Sequence, residues 1–352
     1  MRIVVNDIAA SGGGAMSILE QFYRSVQNAD GGHEWIFLLN DNYFEQTENV
    51  KIIVRDDVKK SRIKKLWFDF FGGKKFVKGL KPDVIVSLQN IITFGVKVPQ
   101  VVYMHQSIPF QDQKNFSFFK RDERSLAVIQ KLIGRVIKKS VKKADKVIVQ
   151  SQWIRDAVIK KTKIKEDKIV AVMPTIEDFS ELKVDGKWDK NSFFYPSSNY
   201  VYKNNQLVFD AVKQLREEGF SDVRFKTTLP SDAVPNCDGI VCTGQIDKKE
   251  VISEHNYSTL VFPSYIETVG LPMLEARQMG TVVLASDCPF SREVLQGYDN
   301  AYFFNPFSVC QLTDLMRKVI TGEIERKPVN ENNATIDSWQ RIKDVIYATV
   351  SE

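Results

Sequence analysis

The stretch PSYIETVGLPMLEARQMGTVVLASD, residues 263–287, runs from the end of one apolar segment through to the end of the next. The segment that closes at Ser264 has the composition of a strand, and a second apolar segment follows at residues 281–286. Between them, Gly270 and Pro272 mark the start of a helix, because proline fits the first turn. An order of strand, loop, helix and strand predicts one repeat of a parallel α/β sheet.

The rest of the chain repeats this alternation. Short apolar runs, continuous rather than alternating, predict strands that are buried on both faces. In the first half they are RIVVNDI (2–8), EWIFLLN (34–40), VKIIVR (50–55), PDVIVSL (82–88), VPQVVYMH (98–105) and ADKVIVQS (144–151). In the second half they are FFYPSS (193–198), VRFKTTL (223–229), GIVCTG (239–244), STLVFPS (258–264), TVVLAS (281–286) and NAYFFNP (300–306). Segments with helical spacing, such as 15–27 and 125–141, lie between the runs.

The length of 352 residues exceeds what one hydrophobic core usually supports, so two domains are expected. Residues 174–190 are polar and aperiodic, and they predict a linker between a domain of 1–173 and a domain of 191–335. The last segment, 336–352, has helical spacing and is predicted to return to the first domain. The predicted fold class is α/β, with two Rossmann-like doubly wound domains facing across a cleft, where ligands are expected to bind.

Composition narrows the class of protein. With 43% hydrophobic and 26% charged residues the chain is typical of an ordered globular protein. The four cysteines form no C-x-x-C pair, which disfavours a zinc site. The apolar run at the N-terminus is too short and too polar for a signal peptide. No apolar run in the chain approaches the length of a membrane helix. The expected location is the cytoplasm, including the inner face of the membrane.

The stretch that opens this section also carries a resemblance. Its two glutamates, Glu267 and Glu275, are separated by seven residues and framed by Pro-Ser, Gly-Leu-Pro and Glu-Ala. This arrangement resembles the signature of the retaining family 4 glycosyltransferases, which use nucleotide sugars and have the two-domain GT-B fold. The segments SGGGA (11–15), ADKVIVQSQWIRD (144–156) and SDCPFSREVL (286–295) extend the resemblance over most of the chain.

The resemblance implies roles for these residues. Glu267 would contact the transferred sugar, and Glu275 would bind the ribose hydroxyls, since a carboxylate accepts two hydrogen bonds from a vicinal diol. Backbone amides at the start of a helix would favour a diphosphate. The donor-binding set that the resemblance implies is Gly13, Gly14, Asn199, Lys203, Glu267, Thr268, Val269, Gly270, Leu271 and Glu275, with His105, Glu267 and Lys203 as the catalytic residues.

Lys203 is the cationic residue of this set. The resemblance places its ammonium beside the leaving diphosphate, where a charge in a dry site contributes strongly to catalysis. Many relatives have an arginine five or six residues before this lysine, but here those positions are Ser197 and Ser198. Asn199 and Arg292 are the candidates for a replacement.

His105 and the glycine-rich loop belong to the first predicted domain. His105 follows a strand at its carboxyl end, and the resemblance places it beside the transferred sugar without making it a general base. Gly13 and Gly14 permit a close approach of the backbone to phosphate. The loop lacks the third glycine of a dinucleotide-binding motif and the Gly-Lys-Ser/Thr of a P-loop, so neither of those functions is predicted.

The predicted reaction needs no metal and no cofactor. No two aspartates are separated by one residue, so the Asp-x-Asp metal clamp of other glycosyltransferases is missing, and the nucleotide-diphosphate sugar is a substrate. The family implies retention through an oxocarbenium-like ion pair. Two alternatives stay open: a catalytically idle relative that binds nucleotide sugars, favoured by the missing arginine, and a sugar-nucleotide epimerase or phosphorylase of the same fold.

The distribution of charge along the chain indicates binding partners other than the donor. Residues 51–81 and 120–146 carry net charges of +8 and +7, whereas the whole chain carries +5. Within 59–81, Trp67, Phe68, Phe70 and Phe71 lie among the cations, a pattern typical of an anionic membrane surface. Ordinary amphipathic helices that cover a sheet are the alternative interpretation. The predicted partners are a nucleotide-sugar donor, a glycan or lipid-linked acceptor and an anionic membrane surface at 59–81 and 120–146; no motif indicates nucleic acid.

Overall fold

The computed structural model describes residues 1–10, 12–27, 31–59, 61, 64, 67–184, 186–235, 237–329 and 337–351. The chain divides into two compact units. The first unit comprises Met1–Phe119, Arg124–Thr175 and Ile336–Glu352, and the second comprises Lys120–Glu123 and Ile176–Thr335. Each unit is built around its own parallel sheet, as the continuous apolar runs predict.

The first unit contains a parallel sheet of seven strands in the order β3-β2-β1-β4-β5-β6-β7. The strands are β1 (Arg2–Asn6), β2 (Glu34–Leu39), β3 (Val50–Val54), β4 (Val84–Ser87), β5 (Gln100–Met104), β6 (Lys146–Val149) and β7 (Ile169–Ala171). The order reverses between β1 and β4, which is where open α/β sheets bind ligands at the carboxyl ends of their strands.

Helices connect these strands. They are α1 (Gly13–Gln27), α2 (Asp56–Lys59), α3 (Gly73–Gly79), α4 (Arg124–Ala127), α5 (Gly134–Lys143), α6 (Gln152–Thr162) and the C-terminal α12 (Ser338–Ser351). Two π-helical turns, Phe68–Gly72 and Val128–Ile133, lead into α3 and α5. Ile342 and Ile346 of α12 are buried in the same apolar cluster as Phe22 and Trp35, so the end of the chain is part of the first unit's core.

The second unit contains a parallel sheet of six strands in the order β10-β9-β8-β11-β12-β13. The strands are β8 (Ser192–Tyr195), β9 (Arg224–Thr227), β10 (Ile240–Cys242), β11 (Thr259–Phe262), β12 (Val283–Ser286) and β13 (Ala301–Phe304). The helices are α7 (Asn205–Glu217), α8 (Lys248–Tyr257), α9 (Leu271–Gln278), α10 (Pro289–Val294) and α11 (Val309–Thr321). Here the order reverses between β8 and β11.

Two features differ from the sequence-based expectation. Strand β7 was not predicted, because it has only three residues, two of them half-buried, behind a charged segment. The segment predicted as a linker, 174–190, falls mostly in the second unit, where Phe179 and Leu182 pack against Ile252 and Met279. Asp185 of that segment and both ends of the predicted helix 336–352 lie outside the described residues.

Candidate active site

The reversal point of the second sheet brings the predicted cation and carboxylate together. Lys203 lies on the short connection after β8, in a 3-10 turn of Val201–Lys203. Glu267 lies in the loop between β11 and α9. Because β8 and β11 are neighbours and parallel, both connections leave the same edge of the sheet. Two residues that are 64 positions apart in sequence therefore meet.

One oxygen of Glu267 is held by two donors. Lys203 Nζ donates to Glu267 Oε1 at 2.6 Å, and Ser264 Oγ donates to the same oxygen at 2.7 Å. Burial by itself lowers the pKa of Lys203, but the adjacent Glu267 carboxylate outweighs it, so that the pKa lies above its usual value. The lysine is therefore charged at neutral pH, and the side-chain hydrogen bonds that Glu267 accepts among the described residues go to Oε1.

The Asn204 side chain connects the loops at this edge of the second sheet by hydrogen bonds. The residue has a left-handed backbone with a φ of 58°, a conformation that asparagine tolerates better than most residues. Its Nδ2 donates to the carbonyl of Pro263 at 3.3 Å and to the carbonyl of Pro306 at 2.7 Å. One side chain thus connects the loops that follow β8, β11 and β13.

Helix α9 begins four residues after Glu267, where Pro272 has no N–H and Met273 donates its N–H to the Gly270 carbonyl at 2.9 Å. Gly270 precedes the helix with a φ of 84°, and a Cβ there would lie 2.7 Å from Met273 Cε and 3.0 Å from the Phe262 ring. Only glycine fits this turn without strain. Val269 is buried, whereas Leu271 is exposed and Thr268 is half-buried.

Glu275 is buried on α9 and has a partner that the sequence did not predict. Its side chain is only 3% exposed, and its Oε1 accepts a hydrogen bond from Lys248 Nζ at the first position of α8. The lysine side chain is 51% exposed. The second predicted carboxylate is therefore also in an ion pair.

The two candidates for replacing the missing arginine differ in their surroundings. Ser197 and Ser198 occupy half-buried positions, and Asn199 is exposed. Arg292 forms two hydrogen bonds to Asp287, at 2.7 Å and 2.8 Å, and lies over the Phe303 ring at 3.8 Å. Its guanidinium is thus engaged on α10, so Lys203 is the cation that this edge presents beside Glu267.

In the first unit, His105 follows β5 and is fixed by Asn90. The His105 backbone N–H donates to Asn90 Oδ1 at 2.8 Å, and Asn90 Nδ2 lies 3.3 Å from His105 Nε2. Because this nitrogen of Asn90 can only donate, Nε2 accepts and the ring proton is on Nδ1. Burial lowers the pKa of His105 to about 4, so the ring is neutral at neutral pH. Nδ1 has no hydrogen-bond partner within the described part of the chain.

The glycine-rich loop leads from β1 into α1. Gly12 has a φ of 156°, and α1 begins at Gly13, followed by the exposed Gly14. Ser11 lies outside the described residues. Gly13, Gly14 and His105 thus belong to the first unit, while the remaining predicted site residues belong to the second.

The basic segment 59–81 mixes buried and exposed aromatic residues. Phe68 is buried, and Phe70 stacks on Phe94 with ring centroids 4.5 Å apart. Trp67 and Phe71, by contrast, are 60% and 71% exposed. Residues 60, 62, 63, 65 and 66 of this segment lie outside the described part.

Two kinds of feature are absent from the described residues. These residues hold no group of three or more His, Cys, Asp or Glu side chains arranged to bind a metal ion. Nor do they include a helix with the length and apolar character that crossing a bilayer requires.

Comparison with known families accounts for the two units. Residues 23–177 match the family described as Glycosyltransferase Family 4, and residues 181–335 match the family described as Glycosyl transferases group 1. The chain belongs to the group 1, family 4 glycosyltransferases. Its two Rossmann-like units are those of the GT-B fold, so the sequence-based predictions of the family and of the fold class are confirmed.

The sequence similarity of this glycosyltransferase to an individual curated relative is limited to a short segment. A segment of 85 residues is 36% identical to the serotype-specific mannosyltransferase WbdA of Escherichia coli. That segment covers 24% of this chain, and the chain spans about a tenth of the length of WbdA.

Solved structures agree over the whole chain. WaaG, a glycosyltransferase involved in lipopolysaccharide biosynthesis, has a TM-score of 0.70 at 14% identity, with 98% of this chain and 99% of WaaG covered. Anabaena HepE in complex with UDP-glucose has a TM-score of 0.63 at 14% identity, with 100% and 96% covered. At such low identity, these similarities concern the fold.

Sequence reasoning missed three residues that contact predicted residues of the candidate site: Asn90, Lys248 and Ser264. Asn90 and Ser264 each follow a strand at the reversal point of a sheet, a position that could have drawn attention to them. Lys248 gave no such signal, because its partner is 27 residues away and the two meet only through packing.

Proposed function

We propose that this glycosyltransferase transfers a sugar, with retention of configuration and without a metal ion, from a nucleotide-diphosphate donor to a glycan or lipid-linked acceptor. The donor we favour is a UDP-sugar, and the setting is surface polysaccharide assembly. The observation that carries the proposal is the Lys203–Glu267 pair with Ser264 at the carboxyl edge of β8 and β11. Similarity to WbdA, to WaaG and to HepE with its UDP-glucose supports it.

The arrangement fits the charge changes of such a transfer. As the bond to the diphosphate breaks, negative charge grows on the leaving group, and the Lys203 ammonium and the positive N-terminal end of the α9 dipole stabilise it. Glu267 keeps Oε2 for a sugar hydroxyl, while Ser264 and Lys203 hold Oε1. The neutral His105 offers its Nδ1 hydrogen to the sugar without taking a proton. Glu275 accepts hydrogen bonds from the ribose.

A thermal-shift screen of UDP-, GDP- and ADP-sugars tests the donor. A bound ligand raises the melting temperature according to its concentration relative to its Kd. We expect a UDP-sugar to stabilise the wild type, and Glu275→Ala to weaken its binding by about 1 to 3 kcal/mol, because the ribose hydroxyls lose their acceptor. A flat screen with a folded chain, or calorimetry that gives Glu275→Ala an unchanged donor affinity, would contradict the assignment.

Turnover tests the remaining parts of the proposal. Activity that is unchanged by EDTA supports transfer without a metal ion, and the anomeric configuration of the product, measured by NMR, reports retention. A catalytically idle relative is the second candidate, which Ser197 and Ser198 in place of an arginine favour. Such a protein would bind the donor and turn over none of it, with any acceptor.

We also propose that the first unit contacts an anionic membrane surface at the cytoplasmic face through Trp67 and Phe71. Both rings are exposed, and the exposed Lys74 and Lys75 follow them. Aromatic rings with adjacent cations favour the interface of an anionic bilayer. In sedimentation with vesicles that contain phosphatidylglycerol, the double variant Trp67→Ala/Phe71→Ala should lose most binding, whereas Tyr257→Ala in the second unit should not. Equal binding of all three proteins would refute this contact.

A further inference from the structure

Lys248 is an exposed lysine whose ammonium group forms an ion pair with a buried carboxylate. Its side chain is 51% exposed, whereas that of Glu275 is 3% exposed, and Lys248 Nζ donates to Glu275 Oε1. A carboxylate this deeply buried is costly without a partner that compensates its charge. Within the described residues, Lys248 is the hydrogen-bond partner of this side chain.

The base of the lysine is fixed by the start of α8. Asp247 accepts a hydrogen bond from the Glu250 backbone N–H at 2.8 Å, and Glu250 Oε2 accepts one from the Asp247 backbone N–H at 3.0 Å. This capping box fixes the first turn of the helix, on which Lys248 is the first residue. It also occupies the two carboxylates nearest to Lys248 in sequence, so the ammonium is directed to Glu275 instead.

We infer that Lys248 is a positioning residue for the nucleotide: it holds Oε1 of Glu275 so that Oε2 accepts the hydroxyls of the donor's ribose. The inference rests on the proposed function, since it takes Glu275 as the acceptor of the ribose. An ion pair with one oxygen fixes the orientation of the carboxylate, and a carboxylate forms a stronger hydrogen bond to a hydroxyl than a neutral acceptor does. Without the lysine, the buried carboxylate loses that partner.

Nucleotides with and without ribose hydroxyls test this role. By calorimetry, UDP, GDP and the 2′,3′-dideoxy form of whichever of them binds are titrated into the wild type and Lys248→Met. We expect Lys248→Met to weaken the parent nucleotide about tenfold, the size of one hydrogen bond to a charged group, and the dideoxy form less than twofold. Lys248→Arg should restore most of the loss. A role in folding alone would affect both ligands equally.

Two further variants serve as controls. Lys249→Met removes the same charge from the next position of α8, where the lysine is exposed, and should bind the nucleotide as the wild type does. In a Glu275→Gln background, which removes the buried charge, Lys248→Met should have no further effect. That pair of variants keeps the test valid if Lys248→Met alone does not fold.

The outcomes separate the two proposals. If the wild type binds neither UDP nor GDP, the proposed function fails and this inference fails with it. If the wild type binds but Lys248→Met weakens the parent and dideoxy nucleotides equally, has no effect or tightens binding, only the role of Lys248 is overturned. Tighter binding would mean that the lysine competes with the ribose for Glu275.

Discussion

The carboxyl edges of the two sheets differ in how their polar groups are satisfied. In the second unit, both predicted carboxylates are bonded to lysines, Glu267 to Lys203 and Glu275 to Lys248. In the first unit, the predicted site residue is a neutral histidine held by the amide of Asn90. The candidate site residues of the second unit are therefore held by ion pairs, whereas that of the first unit is held by hydrogen bonds to a neutral amide.

The largest effect should come from breaking the Lys203–Glu267 pair. Lys203→Met removes the cation beside the leaving group, and we expect kcat/KM for transfer to fall by about 100- to 1,000-fold, the cost of losing one preorganised donor in a dry site. The matched control is Lys226→Met, which breaks another lysine–glutamate pair of the same unit, with Glu254 at 2.7 Å. Loss of activity to the same extent in both variants would show that the effect is structural.

The neutral histidine should affect the reaction and not donor binding by the second unit. His105→Ala removes the Nδ1 hydrogen, and we expect kcat to fall about tenfold, the size of one hydrogen bond to the reacting sugar. The affinity for the free nucleotide, measured by calorimetry, should stay unchanged. His33→Ala in the same unit is the control. Should nucleotide affinity fall in step with kcat, the division of roles between the two units would be wrong.

A smaller effect is expected from the second donor to Glu267. Ser264→Ala leaves Lys203 as the single partner of Oε1, and we expect kcat at saturating donor to fall by about three- to tenfold, because the carboxylate is less firmly oriented. Ser291→Ala is suited as a control, since that serine is buried in the same unit and its hydroxyl bonds to nothing in the described ranges. If Ser264→Ala reacts at the wild-type rate, Ser264 does not contribute to orienting Glu267, and Lys203 orients it alone.

The second unit also contains a fully buried histidine, His255, with a consequence for stability rather than catalysis. Burial lowers the pKa of His255 to about 3, with Lys248 and Arg326 adding to the effect. The unfolded chain, with a usual pKa near 6.5, binds the proton first, so stability is full above pH 6.5 and is lost as the pH falls towards 3. Neither ring nitrogen of His255 has a partner among the described residues.

His255→Phe should flatten this dependence without affecting kcat at pH 7. We expect the slope of the unfolding free energy between pH 6.5 and 4 to decrease by up to about 1.4 kcal/mol per pH unit, measured by urea unfolding. An identical slope for variant and wild type would mean that other groups govern the acid sensitivity of the second unit.

Much of the fold could be predicted from the sequence because its signals are local. Strands such as Val84–Ser87 and Thr259–Phe262 are continuous apolar runs, and the start of α9 is marked by Gly270 and Pro272. Strand β7 carries too few apolar residues for such a signal. The π-helical turns, such as Val128–Ile133, have the apolar spacing of an ordinary helix and were predicted as part of one.

The site was predictable only in part, for a different reason. The sequence indicated Glu267, Glu275 and Lys203 through a motif and its spacing, but motifs do not report which side chains meet in space. The pairing of Glu275 with Lys248 depends on the packing of α8 against α9. The hydrogen bonds between Asn90 and His105 form because β4 and β5 are neighbouring strands of the sheet. Such contacts between distant segments arise only when the chain is folded.

Asn204 has a consequence for engineering. Because its one amide group joins the carbonyls of Pro263 and Pro306, the loops after β8, β11 and β13 form a single module. A chimera that imports the loop 263–270 from a relative to alter the choice of sugar must therefore keep the backbone carbonyl of position 263 within reach of the Asn204 amide. Exchange of all three loops as a block avoids that requirement, so the natural unit of recombination at this edge is larger than the signature motif.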